Sequence, residues 1–284
     1  MPTIHEPVTD PRETAQFPVV QRAGIKLFRR AARRATGNLR DVGLRALFLR
    51  DIGRAFADPA TYVPETIRQM RNIGVDSIPL ACIVAAFIGS VIALQVRYQL
   101  FQGIQLSVVG LSVRQMIVLE LGPLLTGLVL TGRVGARMTA EIGTMRVTEQ
   151  IDALETLAYD PIAYLVVPRL LAALIMLPVL TVFANFVGII AGWLTAALAT
   201  DVLSSQFVEG LKLGFAPFQF FYSLLKAVMF GGAIAFVCSY EGYITEAGAE
   251  GVGRSTAKAV VIASVAILVL DALTAALLAP QLQG

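Results

Sequence analysis

Residues 77–96 read Ser-Ile-Pro-Leu-Ala-Cys-Ile-Val-Ala-Ala-Phe-Ile-Gly-Ser-Val-Ile-Ala-Leu-Gln-Val, twenty residues without a charge. At 1.5 Å of rise per residue this run makes a helix of about 30 Å, the thickness of a bilayer's hydrocarbon core. It is the cleanest of five such blocks. The others are 115–132, interrupted by Glu120; 161–200, holding Arg169; 213–240, holding Lys226; and 259–280, holding Asp271. Of the 284 residues, 56% are hydrophobic and only 15% charged, against roughly a quarter charged in an ordinary soluble domain. The chain therefore reads as an all-α integral membrane protein.

The 161–200 block is about 60 Å long as a helix, too long for one straight crossing, so it must break, tilt or protrude. Charge counting bears on how many spans there are. With five spans and the N-terminus inside, 13 bases of residues 1–75 lie on the cytoplasmic side with Arg133, Arg137, Arg146, Arg169, Arg254 and Lys258. Arg97, Arg114 and Lys212 then lie outside, and Lys226 is in the membrane. This satisfies the positive-inside rule. Splitting the long block into two spans exchanges only Lys212 for Arg254 and Lys258, so the count leaves five and six spans almost balanced.

Upstream of the spans, residues 1–18 are polar with four prolines and are expected to form a flexible tail. Residues 19–76 are Arg-rich. Leu44, Leu47, Phe48, Ile52 and Phe56 recur at helical spacing among Arg45, Arg50 and Arg54, after Arg29, Arg30, Arg33, Arg34 and Arg40. That pattern suits basic amphipathic helices lying on an anionic leaflet, with a solvated basic arm as the alternative. The segment has no Ser and several acids, which argues against an organellar transit peptide, and the start of the chain lacks the pattern of a signal peptide. Insertion is thus expected to be directed by the spans themselves, and a nucleic acid partner is not expected.

Little raw material for catalysis is present. Cys82 and Cys238 both lie in apolar runs, and the single histidine, His5, lies in the tail, so disulfide scaffolds, His-based metal sites and Ser-His chemistry are not expected. There is no G-x-x-x-x-G-K-[ST] phosphate loop. The nearest approach, Gly251-Val252-Gly253-Arg254-Ser255-Thr256, lacks its lysine and reads as a flexible cytoplasmic turn.

The most informative polar stretch follows the second span, from Gly132 to Glu155. Its last part, Thr148 to Glu155, is a short amphipathic helix candidate, with Ile151 and Leu154 on one side and Glu149, Asp152 and Glu155 on the other. A helix of this kind at a membrane exit suits the groove of a partner; a plain surface turn is the alternative.

Several segments together resemble the MlaE/YrbE family of ABC transporter permeases. They are Glu120-Leu121-Gly122-Pro123, Thr131 to Ala136, Ala140 to Leu154, Asp160-Pro161 and Val167-Pro168-Arg169. The dense match covers about residues 115–195 and the pattern of spans about 77–280. The resemblance implies five spans in a permease domain over 77–284. It also implies a lipid-transporting permease of the bacterial inner membrane, with a cytoplasmic N-terminus and a periplasmic C-terminus. The implied partners are a second copy of the chain, a cytoplasmic ATPase dimer that binds ATP and Mg, a periplasmic MCE-domain lipid-binding protein and phospholipid. This chain would hold no cofactor and catalyse no reaction itself.

By the same resemblance the coupling helix falls on Arg146, Thr148, Glu149, Gln150, Ile151, Asp152, Leu154 and Glu155, and a lipid cavity is expected at Ile92, Gln99, Leu100 and Glu120. The family pattern commonly has Arg before the Glu of Glu-Leu-Gly-Pro, whereas Leu119 stands here. A non-transporting scaffold that anchors the MCE protein is the competing reading.

Charges inside a bilayer are costly and are candidates for function. Counted along helices from the cytoplasmic ends of their spans, Glu120 and Asp271 lie about 18 Å deep and Lys226 about 21 Å. An unpaired ion at that depth costs several kcal/mol, so Lys226 is expected to pair with Asp271. Glu120 is then expected either to face a hydrated or headgroup-lined cavity, or to be buried against backbone freed by Pro123. Gly188-x-x-x-Gly192 and Gly231-Gly232 suit close helix approach or a bend, and Trp193 an interfacial anchor.

Overall fold

The computed structural model describes residues 43–56, 59–101, 103–246 and 248–278, with the side chains of 59–61 excluded. The proline-rich tail, His5 and the bases Arg29 to Arg40 lie outside the described residues. Two compact units are separated at Asp51 and Ile52. Residues 43–55 are helical, as the spacing of their apolar residues predicts.

The second unit contains helix α1 (Pro59–Ile73) and a short 3-10 turn (Val75–Ser77), then α2 (Ile78–Gln99), α3 (Ser107–Val147) and α4 (Gln150–Thr156). Helices α5 (Ile162–Ala199), α6 (Ser204–Lys212), α7 (Phe218–Tyr243) and α8 (Ala249–Leu278) follow. Five helical runs are long and apolar enough to cross a membrane: Tyr62–Gln99, which joins α1 to α2, and α3, α5, α7 and α8. The protein is an all-α integral membrane protein.

Boundaries differ from the sequence expectations in ways the physics explains. The stretch after residue 132 is not a loop: α3 runs on to Val147, because Thr139, Ile142 and Gly143 are buried against α7 and that packing outweighs the local polarity. Likewise 251–256 is not a turn but the start of α8. The 161–200 block neither breaks nor divides. It is one helical run of 38 residues that absorbs Pro168 just inside its α-helical part and Pro178 in the interior, with a π-helical turn at Ile162–Val166. Asp160 starts that run by accepting the Ile162 N–H at 2.9 Å. The fourth span begins at Phe218, since Ser204–Lys212 forms a separate helix.

Close approach of glycines sets the packing. Gly89 of α2 lies against Gly188 of α5 so tightly that a Cβ there would come 1.9 Å from the Gly188 carbonyl oxygen, and Gly192 continues the contact. Without a hydrophobic force between helices in lipid, such small-residue seams let backbones touch and gather dispersion contacts. The Gly188-x-x-x-Gly192 pair therefore serves helix approach, and Gly231 does the same against the Ala173 backbone. Two apolar cores result. One joins α3, α5, α7 and α8 around Leu130, Leu180, Phe230, Ile234 and Ile267; the other joins α2, α3, α5 and α6 around Ala93, Val113, Ile117, Ala196 and Phe207.

Candidate functional site

Three features can carry function: an ion cluster inside the spans, an apolar cleft beside it, and the α4 end of the bundle.

The cluster centres on Lys226, which is fully buried on α7. Its ammonium lies 2.7 Å from Glu120 Oε2 and 2.8 Å from Asp271 Oδ1, and it sits 4.8 Å from the Tyr222 ring centre. It also donates to the Leu119 carbonyl at 3.2 Å. That carbonyl has a local cause. Pro123 has no N–H to offer the residue four places back, and the backbone widens into a π-helical turn over Ile117–Leu121. The oxygen so released is taken by the lysine.

Lys226 and Asp271 thus meet between α7 and α8. Glu120 is not buried against freed backbone, one of the two arrangements expected of it: it is a partly exposed second carboxylate on the same cation. Its side chain is 45% exposed on the single chain, against 17% for Asp271. Nothing in the sequence links residues 120 and 226 except that both are charged at similar depth, and that was the available signal. A buried polar pair continues this layer, with Asn185 of α5 donating to Ser223 Oγ at 3.1 Å.

Arg114, expected outside the membrane, lies near the start of α3. It is 4% exposed and bonded to Gln219 and, at 2.7 Å, to the Leu213 carbonyl.

An open apolar cleft lies between α2, α3 and α5. Ala81, Val84, Ala85 and Ile88 form one wall at i, i+3, i+4, i+7 spacing, and Leu121 and Leu125 form another. Of the residues expected to line a lipid cavity, Ile92 does not: it is buried in the packed core with Ala93 and Val113, because its face of α2 turns towards α3 and α5. Leu100 packs against the same core, Gln99 is exposed at the end of α2, and Glu120 belongs to the ion cluster. The helical spacing of Ala81, Val84, Ala85 and Ile88 could have shown the wall. In a span apolar on every side, however, periodicity does not distinguish a cleft from lipid.

At the α4 end, Thr148 caps back onto the Thr144 carbonyl at 2.8 Å and Glu149 enters the left-handed region (φ 60°). The helix proper starts at Gln150, whose amide donates to Thr148 Oγ1 at 3.0 Å. Ile151 is fully buried and anchors α4, while Glu149, Asp152 and Glu155 face outward. Arg146 fixes the angle of the unit: it donates to Asp152 at 2.7 Å and lies 5.9 Å from the Tyr243 ring at the end of α7. Leu154 is half-buried, and Leu157 and Tyr159 are exposed beside the acids, a pair that the charge pattern alone did not single out. Ala158 also has a positive φ, 61°. Non-glycine residues in this region cost on the order of 1 kcal/mol each and persist where the surroundings require them. Two of them bracket α4.

The two ends of the bundle differ. Beside α4, buried Arg169 donates to the Leu165 carbonyl at 2.6 Å and to Glu141 at 3.2 Å, and Lys258 reaches Glu241 at 2.9 Å. At the opposite end the Arg97 guanidinium grips the Asp201 carboxylate with two hydrogen bonds. That bond holds the Asp201 carboxyl below the usual aspartate range. Among the described residues no group of His, Cys, Asp and Glu could hold a metal ion.

Comparison with known proteins places this arrangement. The family described as Permease MlaE matches residues 66–277. A probable ABC transporter permease protein of Rickettsia prowazekii is 39% identical over 80% of this chain and 88% of its own length. Another from Synechocystis is 40% identical over 72% and 78%. The intermembrane phospholipid transport system permease protein MlaE of Haemophilus influenzae is 32% identical over 76% and 84%. A match across all five spans, the ion cluster and α4 assigns the chain: it belongs to the MlaE permease family of ABC transporters.

Proposed function

We propose that this permease moves phospholipid, or a related lipid, between the bacterial inner membrane and a periplasmic carrier of the MCE type. It works as a homodimer driven by a separate cytoplasmic ATPase dimer, which binds ATP and Mg. The observation that carries the reading is α4, a short acidic helix held at a fixed angle on the link between two spans, with exposed Leu157 and Tyr159 beside it. An acidic and apolar knob on a buried anchor suits a partner's groove. The α4 end is cytoplasmic in this reading, since Arg146, Arg169 and Lys258 lie there; the C-terminus is periplasmic. The phospholipid cargo is supported by the name of the Haemophilus relative, and the apolar cleft offers walls suited to acyl chains.

The residues divide the work. Ile151 and Arg146 keep α4 rigid on α3, so that a displacement of α4 moves the spans on either side of it. The Lys226 cluster holds α3, α7 and α8 together at mid-depth while they move. No chemistry on the lipid is required.

Glu149→Lys with Glu155→Lys tests coupling, because both side chains are exposed and neither is the Arg146 partner. Loss of both ATPase binding and lipid transfer to the carrier is expected. Lipid transfer persisting after ATPase binding is lost would exclude coupling through α4, and intact carrier binding without any transfer in the native complex would leave only a scaffold.

A further inference from the structure

At the α4 end, a shallow, open cleft lies between α1 and α3, with no part in the transport reading above. Its floor is apolar: Ile73, Val134 and Met138 are each 7% exposed or less. Its rim carries Gln69, Asn72, Arg133 and Arg137, and Glu141 is its one carboxylate. Both oxygens of that carboxylate are engaged, Oε1 by Arg137 at 2.7 Å and Oε2 by Arg169 at 3.2 Å. Arg133 is exposed, and its hydrogen-bond partner is the backbone carbonyl of Asp76 rather than an acid. Arg169, just behind, is 3% exposed, and its Nε is buried without an acceptor. Arg133, Arg137 and Arg169 surround this carboxylate, with the Arg68–Glu65 pair beside Arg169 and Asp76 adjoining Arg133, so the cluster carries a surplus of one positive charge.

The level of the cleft is informative. Asp76 immediately precedes the uncharged run of α2, and Arg133 immediately follows the apolar run of α3 that ends at Gly132. Both helices leave the hydrocarbon here, so the rim lies in the layer where lipid phosphates lie. The outer face of α1 agrees: Val63 and Ile67, 47% and 66% exposed, alternate with exposed Arg68 and Arg71, as in a helix lying in the interface. Basic pockets between helices at this level attract anionic headgroups, and a planar guanidinium can give a phosphate two parallel hydrogen bonds.

We propose that the cleft between α1 and α3 binds the phosphate of a phospholipid headgroup, with Arg133 and Arg137 as its ligands and the apolar floor beneath the first carbons of an acyl chain. Asn72 completes the rim. A lipid so held joins α1 to α3 and neutralises the surplus charge.

The test titrates dioleoylphosphatidylglycerol into the delipidated full-length chain in detergent, read by native mass spectrometry. One saturable, arginine-dependent lipid per chain is expected, with an affinity that falls about tenfold in Arg133→Gln/Arg137→Gln, the loss of charge-assisted hydrogen bonds, and recovers in Arg133→Lys/Arg137→Lys. Leu121→Trp, which fills the apolar cleft, leaves this binding unchanged, so the two sites are read separately. Dioleoylglycerol, which has no phosphate, shows no arginine-dependent binding. Equal affinity in the double glutamine variant, or the same arginine dependence with dioleoylglycerol, overturns the proposal. Displacement of the lipid by inorganic phosphate in millimolar excess overturns it in favour of a free-phosphate site. Should the glutamine variants not remain monodisperse, the lysine variant decides: failure to bind the lipid overturns the proposal.

Discussion

Lys226 Nζ lies 2.7 Å from Glu120 Oε2, although 106 residues separate them in the chain, and the same ammonium reaches Asp271. One buried cation on α7 thus answers to carboxylates on α3 and α8. Removing the cation leaves two carboxylates facing each other in a medium that solvates neither, whereas removing either carboxylate leaves the lysine with one partner. Lys226→Met is therefore expected to destabilise by about 3–5 kcal/mol and each of Glu120→Gln and Asp271→Asn by clearly less. Thermal unfolding in detergent checks the order. Exchanging the charges of residues 226 and 271 rescues only in part, because Glu120 then faces a like charge; adding Glu120→Gln to the exchange completes the rescue.

The contact of Gly89 with Gly188 is between backbones, so it has no side chain to yield. Gly89→Ala is expected to force α2 from α5 and destabilise by about 1–3 kcal/mol. Gly132 has nothing within 4 Å of where a Cβ would stand, and Gly132→Ala is expected to be neutral or to stabilise by up to about 1 kcal/mol through helix propensity. Comparing the two variants' unfolding midpoints isolates packing from propensity.

Ala158 closes α4 in a conformation that glycine adopts at little cost. Ala158→Gly should raise stability slightly, by well under about 1 kcal/mol once the added freedom of the unfolded chain is counted, and leave ATPase binding unchanged. A large destabilisation in the same unfolding assay would mean that the Ala158 methyl makes contacts worth more than the backbone strain.

The Arg97–Asp201 link should titrate. Asp201's folded pKa is depressed by its hydrogen bonds from Arg97, so its contribution is fully present above the ordinary aspartate range and is lost as pH falls through the lower folded value. The difference in unfolding midpoint between the native chain and Asp201→Asn is expected to be constant from about pH 5 to 8 and to shrink below about pH 4. A difference that persisted in strong acid would mean that the two side chains act through packing rather than charge.

How much of this was legible from residues alone depended on the kind of force involved. The five apolar blocks gave the spans because length and lack of charge are sufficient for that inference. Ile151 and Leu154 opposite Glu149, Asp152 and Glu155 marked α4, since a half-exposed helix has a periodic pattern. The ends were less legible: Thr139 and Gly143 look like loop residues until Cys238 of α7 and Thr245 just beyond it are seen to cover them, and nothing local shows that Arg114 is buried with Gln219 and the Leu213 carbonyl as its partners. Depth along the chain suggested a partner for Lys226, but counting in one dimension cannot assign a shared cation. Glu120 reaches it from the π-helical turn at Ile117–Leu121, just before Pro123.

The seam between α2 and α5 has a consequence for the cleft beside it. Backbone contact at Gly89 and Gly188, the Thr195–Ser90 hydrogen bond of 2.9 Å and the Arg97–Asp201 clasp bind two of its three walls into a single post. A post fastened at three heights does not slide against itself. Any change in the cleft's volume has to come from the third wall, α3, where the π-helical turn at Ile117–Leu121 interrupts the regular hydrogen-bond ladder and holds both residues of this helix that bond Lys226, Leu119 and Glu120. Under the proposed coupling, the panel free to move is thus the helix that carries Glu120 and, at its far end, leads into α4.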